Sequence, residues 1–100
     1  MVIYTSEMNG VYTLDIQGRL TAAEAPQLQV ELTKVMRNAK ELILDFAHLE
    51  YIASAGLRQL MIAQKYMENK GSSITVKNVG PEIMEILEDT GFDSVLKIEK

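Results

Sequence analysis

The stretch Glu41-Leu42-Ile43-Leu44-Asp45-Phe46-Ala47-His48-Leu49-Glu50-Tyr51-Ile52-Ala53-Ser54-Ala55-Gly56-Leu57-Arg58 decides how the chain folds. Leu42-Ile43-Leu44 is a continuous apolar run of strand length. Such a run suits a central strand buried on both faces, as happens where helices cover a parallel sheet. His48 falls in a turn after that strand. Tyr51-Ile52 are large and apolar, and four small residues, Ala53 to Gly56, then open a helical segment. That helix is expected over Ala55 to Lys70, closed by Gly71 in the left-handed position. A strand passed almost directly to a helix is the unit of an α/β layer structure.

The flanking segments repeat the unit. Downstream, Ser73 to Lys77 alternates, with Ile74 and Val76 pointing one way. Pro81 suits the first position of a third helix, whose core face is Ile83, Met84, Ile86 and Leu87 and which Thr90-Gly91 stops. Val95 to Ile98 is a candidate edge strand. Upstream, Val2 to Thr5 reads as a short strand. Asn9-Gly10 is a strong hairpin signal, because a type I′ turn needs positive φ at both central residues. Val11 to Gln17 sets Tyr12, Leu14 and Ile16 against Val11, Thr13 and Asp15, with Gly18 as its end. Thr21-Ala22-Ala23-Glu24 has capping-box spacing, in which each side chain satisfies a first-turn amide. Pro26 is tolerated only near a helix start, so the regular helix is expected to begin at residues 22 to 25. Leu28, Leu32, Val35, Met36 and Ala39 make its apolar stripe. The order is ββαβαβα(β): a mixed sheet led by a hairpin, with crossover helices after it.

Composition limits what such a domain can do. One hundred residues serve a single core, and 47% hydrophobic with 24% charged residues is an ordinary globular balance. Ten basic against fourteen acidic side chains leave a net charge of −4. Nucleic-acid binding depends on cations neutralising phosphates, so this balance argues against it. The chain has no cysteine, hence no disulfide, no thiolate nucleophile and no sulfur-ligated zinc. No apolar run has the length of a membrane span and no export signal opens the sequence, so the cytoplasm is the expected location. The glycines form neither a GxGxxG nor a GxxxxGK[ST] cradle. His48 is the one histidine, read as a solvated loop residue. Glu41 and Asp45 flank a strand, and Glu85, Glu88 and Asp89 crowd one helix, each set read as solvated acids. The inventory does not support an enzyme, and no cofactor or metal is expected.

Ser54 is different. It is the single hydroxyl in a run of small residues at a helix start, where small side chains leave the backbone open to another surface. It can serve as an N-cap, accepting a bond from an amide two or three residues on, and it can also be presented to a partner. The two roles are compatible.

The stretch around Ser54 resembles the signature of the anti-sigma factor antagonists of the STAS domain family. Their usual form is an Asp-Ser-(Ser/Thr/Ala)-Gly-Leu-Gly run after an aromatic-apolar pair. The likeness extends over the chain: Gly18-Arg19-Leu20 resembles the family's Gly-x-Leu, Asp45-Phe46 with Leu49 its central strand end, and Gly91-Phe92 with Val95-Leu96 its closing segment. The resemblance implies a STAS-like α/β fold: a small mixed sheet with an N-terminal hairpin, flanked by three to four helices. It implies Ser54 as phosphoacceptor of a partner serine kinase that is also the anti-sigma factor, with a serine phosphatase as a further candidate partner. Ala53 stands where the family commonly has Asp, Thr21 where an Asp often follows the Gly-x-Leu, and Arg58 where Gly is frequent. A second implied role is therefore a non-phosphorylated interaction subunit of a lipid-transport or stress-sensing complex.

The helix itself suggests where a partner would sit. At 100° per residue, Leu57, Leu60, Met61, Ala63 and Met67 share one side, and Arg58, Ile62, Lys65, Tyr66 and Asn69 the other. Ile62 and Tyr66 on a polar face are candidate anchors, since aromatic residues and Arg are enriched at hot spots. The expected partner surface is Thr21, Ala53, Ser54, Ala55, Gly56, Arg58, Ile62 and Tyr66.

Overall fold

The computed structural model describes residues 1–99. Asn9 and Gly10 both adopt positive φ, 54° and 86°, and close a two-residue turn between strands β1 (Val2–Met8) and β2 (Val11–Leu20). Their antiparallel register is unbroken from Val2↔Gln17 to Met8↔Val11. β1 therefore outlasts the expected Val2–Thr5, because β2 supplies partners for the polar residues Ser6 and Glu7 as well.

Gly18 does not end β2. Its φ of 96° lies where only glycine is at ease, and the register shifts between Gly18 and Arg19. Before the shift β2 pairs in parallel with β3 (Glu41–Asp45). From Gly18 onward, across the shift, β2 pairs in parallel with a short strand β4 (Leu49–Ile52). That strand was absent from the sequence reading. Four residues with Leu49 and Ile52 buried and Glu50 and Tyr51 exposed carry no period-two signal.

Helix α1 (Ala25–Met36) has Pro at its first turn and buries Ala25, Leu28, Leu32, Val35 and Met36. The expected capping box is not formed. No side chain caps the helix; the Thr21 hydroxyl donates instead to Glu24 Oε1 at 3.0 Å. A box would have the Thr21 hydroxyl accept from the Glu24 amide, but that amide donates to the Thr21 carbonyl at 3.1 Å, and the helix begins only at Ala25. The other end of α1 is closed from a distance. The Lys70 ammonium, at the end of helix α2 (Ser54–Lys70), donates to the carbonyls of Met36, Arg37 and Ala39 at 2.6, 2.7 and 2.6 Å.

Strand β5 (Ser73–Lys77), helix α3 (Pro81–Asp89), a 3-10 turn at Phe92–Ser94 and strand β6 (Lys97–Glu99) complete the chain. The strand order is β1-β2-β3-β5-β6, with β4 beside β2. The crossovers from β2 through β6 all step the same way, and right-handed crossovers stepping one way lay their helices on one face. The burial agrees with this. Leu14, Leu42, Leu44, Ile74 and Val76 join Leu28, Leu60, Met67 and Leu87 in one core. β3 is thus buried on one face, with Ile43 only half-buried opposite, a correction to the expectation of burial on both. β5 is the strand covered on both sides, its Thr75 only 2% exposed between its register neighbours Ile43 and Lys97.

Candidate functional site at the start of helix α2

The bulge at Gly18 builds this region. By re-aiming β2 toward β4 it brings Leu20 beside the residue that opens α2, and the Ala53 amide donates to the Leu20 carbonyl at 2.8 Å. Gly18 is tied in turn to the His48 carbonyl at 3.0 Å. Thr21 and Ser54 therefore follow residues joined by a hydrogen bond, and two distant segments of sequence share one rim.

Ala53, extended at φ −93° and ψ 170°, is the residue that caps α2. The amides of Gly56 and Leu57 donate to its carbonyl at 2.9 and 3.0 Å. Ser54 is the first helical residue and is exposed. The N-cap expectation is thus corrected: Ala53 holds that position because its amide is already committed to β2. No side chain caps the helix. The first-turn amides of Ser54 and Ala55 have no intrahelical acceptor, as in any α-helix, and no acidic side chain lies in that turn.

The small residues differ in what they do. Ala53 and Ala55 are half-buried beside the exposed serine. Gly56 is buried, contrary to the expectation of a residue open to a partner. A Cβ there would sit 2.7 Å from Leu20 Cγ, 2.8 Å from Leu20 Cδ2 and 3.0 Å from Ile52 Cγ1. Its missing side chain lets the helix close onto β2 and β4 and offers nothing outward.

Around this rim lie two arginines. Arg58 is exposed one turn below Ser54, at the i,i+4 spacing that brings side chains together on a helix. Arg19 places its guanidinium carbon 4.7 Å from the centre of the Tyr51 ring, within cation–π range. The sequence reading missed Arg19 and Tyr51 as a pair, since only the β2–β4 register sets them side by side. Thr21 is half-buried, its hydroxyl engaged by Glu24.

Farther along α2, Ile62 and Tyr66 remain 47% and 42% exposed. With Thr33, Lys34, Arg37 and Asn38 from the end of α1 they line a groove of about 620 Å³. The side chain of His48 is 68% exposed, with Nδ1 4.0 Å from Asp15 Oδ1. Glu85, Glu88 and Asp89 are all exposed on α3. Among the described residues no helix is long and apolar enough to cross a membrane.

The chain is thus a small α/β domain, a mixed sheet helical on one face with an exposed serine opening its second crossover helix. The sequence family described as "Mlab, STAS domain" matches residues 5–98. This chain belongs to the STAS domain family. A relative named as an anti-sigma factor antagonist, BtrV of Bordetella bronchiseptica, is 28% identical over 99 residues, covering 98% of this chain and 85% of that one. An anti-sigma factor antagonist from Mycobacterium paratuberculosis superimposes with a TM-score of 0.89 at 21% identity, over 98% of this chain and 84% of that chain. The phosphorylated form of the Bacillus cell fate determinant SpoIIAA superimposes with a TM-score of 0.77 at 12% identity, over 99% and 92% of the two chains. These structural likenesses concern the fold.

Proposed function

We propose that this chain is an anti-sigma factor antagonist: a non-catalytic cytoplasmic regulator that binds an anti-sigma factor and thereby frees the sigma factor. Its partner is a serine kinase, and transfer of a phosphoryl group to Ser54 ends the complex. The observation that carries this reading is the position of Ser54, exposed on the first turn of α2 and not used as a cap. Its relative BtrV, named as an anti-sigma factor antagonist, supports the reading.

The physics of the switch follows from that position. A phosphoserine brings about −1.5 to −2 charges at neutral pH. First-turn amides and the helix dipole favour an anion by about 0.3–1 kcal/mol, and Arg58 is within one turn. The domain itself therefore tolerates the modification. A partner packed over Ala53, Ser54 and Ala55 does not, because desolvating an unpaired charge costs several kcal/mol. Each 1.4 kcal/mol is tenfold in affinity, so release by two orders of magnitude lies within reach.

The test is intact-mass analysis of the chain after incubation with its cognate kinase and ATP. One phosphoryl group is expected on the wild type and none on Ser54→Ala. A gain that persists in Ser54→Ala overturns the assignment. A second reading, a STAS subunit held in a lipid-transport or stress-sensing assembly with no phosphate cycle, is favoured by Ala53, which puts no carboxylate beside Ser54. Affinity purification separates the two, returning a sigma-regulating kinase in the first case and a membrane-transport or stress-sensing complex in the second.

A further inference from the structure

The two margins of the sheet are treated differently. At one margin β6 is three residues long with Lys97 and Glu99 exposed, the short charged form by which proteins blunt an edge. At the other, β1 has seven residues and, among the described residues, is paired on its β2 side alone. Between Val2 and Met8 there is no lysine, no proline and no break in register. The single charge, Glu7, turns its carboxylate to the Gly10 amide at 2.8 Å. On the helix-free face of this strand Val2, Tyr4 and Met8 are 47%, 61% and 73% exposed. A long, unblunted, apolar edge offers a row of unpaired amides and carbonyls to another strand.

We infer that β1 is a self-association edge, pairing antiparallel with β1 of a second copy of this chain about a two-fold axis at Thr5. The occupant follows from the symmetry of the segment. Thr5 is the midpoint of Val2–Met8, so such a pairing sets Thr5 opposite its own symmetry mate. Tyr4 then faces Ser6, Ile3 faces Glu7, and Val2 faces Met8 of the second copy. No like charges meet, the Thr–Thr and aliphatic pairs are of stabilising kinds, and the two Tyr4 rings become diagonal neighbours within reach of each other. The five strands of the β1-to-β6 path continue into five more, in the self-complementary form a two-fold dimer requires. Two edges of this length bury on the order of 1,000 Å² in total, the low end of specific interfaces, so the dimer is a concentration-dependent one. The inference does not rest on the role of Ser54.

Sedimentation velocity of the full chain, from micromolar to millimolar concentration, tests it. The average mass is expected to rise from the monomer's 11.2 kDa toward twice that value. Thr5→Lys and Thr5→Glu each set like charges opposite one another across the axis. Each is expected to hold the monomer mass while melting as the wild type does, since Thr5 is exposed. An equimolar mixture of the two places Lys against Glu and is expected to regain the doubled mass, which also proves both variants folded. A wild type monomeric at every concentration, variants that dimerise as the wild type does, or a mixture that stays monomeric overturns the inference.

Discussion

Gly56→Ala tests whether this glycine serves the core or a partner. The substitution acts in two opposed ways. Alanine in a helix interior is favoured over glycine by about 0.5–1 kcal/mol. Against this, the new Cβ meets Leu20 Cγ at 2.7 Å and Ile52 Cγ1 at 3.0 Å. Leu20 is 0% exposed and Ile52 2%, and the backbones beside them are tied by the Ala53–Leu20 hydrogen bond. Neither side chain can swing into solvent. Overpacking of this kind costs about 1–3 kcal/mol, so the net loss is about 0–2.5 kcal/mol. For a domain of this size each 1 kcal/mol lost lowers the melting temperature by roughly 4–8 °C. Thermal and urea unfolding of Gly56→Ala, Leu20→Ala and the double variant read it out. Leu20→Ala alone costs about 2–5 kcal/mol through the cavity it leaves, and the new methyl partly fills that cavity. The double variant should therefore lose at least about 1 kcal/mol less than the sum of the singles, the coupling expected of residues in contact. A Gly56→Ala protein that melts higher than the wild type, or strict additivity, refutes the packing argument.

Lys70→Met removes the ammonium that holds three carbonyls at the end of α1. Water can replace part of that set, leaving an expected loss of about 1–2 kcal/mol, visible as a lower urea midpoint. Thr75→Val goes the other way: the Thr75 hydroxyl is buried without a hydrogen-bond partner among the described residues, and an isosteric apolar side chain there should stabilise by about 1 kcal/mol. A lower melting temperature for Thr75→Val contradicts this. Ile62→Asp and Tyr66→Ala alter the exposed groove beside α1 and should each weaken partner binding by tenfold or more. Their melting temperatures should stay near that of the wild type, and calorimetry showing unchanged affinity in both removes this groove from the binding surface.

The segments legible in the sequence were those whose own residues set their state. Asn9-Gly10 fixed the hairpin, Gly71 and Pro81 marked helix ends, and the α2 stripe separated Leu57, Leu60, Ala63 and Met67 from exposed Ile62 and Tyr66. What was not legible depends on segments far apart in the chain. β4 exists because β2 is turned toward it at Gly18, so neither Leu49–Ile52 nor the Arg19–Tyr51 contact has a local signature. The capping motifs misled for a similar reason. Thr21-x-x-Glu24 and Ser54 both have the right residues, but in one case the Glu24 amide is taken by the Thr21 carbonyl and not by its hydroxyl. In the other, the tie from Ala53 to Leu20 fixes which residue caps. For the site this means that the exposure of Ser54, Arg58, Ile62 and Tyr66 is legible in the sequence, whereas the burial of Gly56 depends on Leu20 and Ile52 and is not.

The division of α2 between its two faces explains how one helix can carry both a fold and the switch proposed at Ser54. Inward, Gly56, Leu57, Leu60, Ala63 and Met67 are buried against the sheet and α1. Outward, Ser54, Arg58, Ile62, Lys65 and Tyr66 are exposed. The exposed residues of the outer face can therefore change with little cost in stability, whereas a single added carbon on the inner face at Gly56 strains the joint that sets where the helix begins. The Gly18 bulge, the β2–β4 pairing and the Gly56 contact act together to fix one thing, the position of the first turn of α2. Loosening any of them should displace the serine at position 54 from the partner proposed for it while leaving its hydroxyl chemically intact. Stability variants on the inner face should thus impair binding through geometry, and outer-face variants through contact alone.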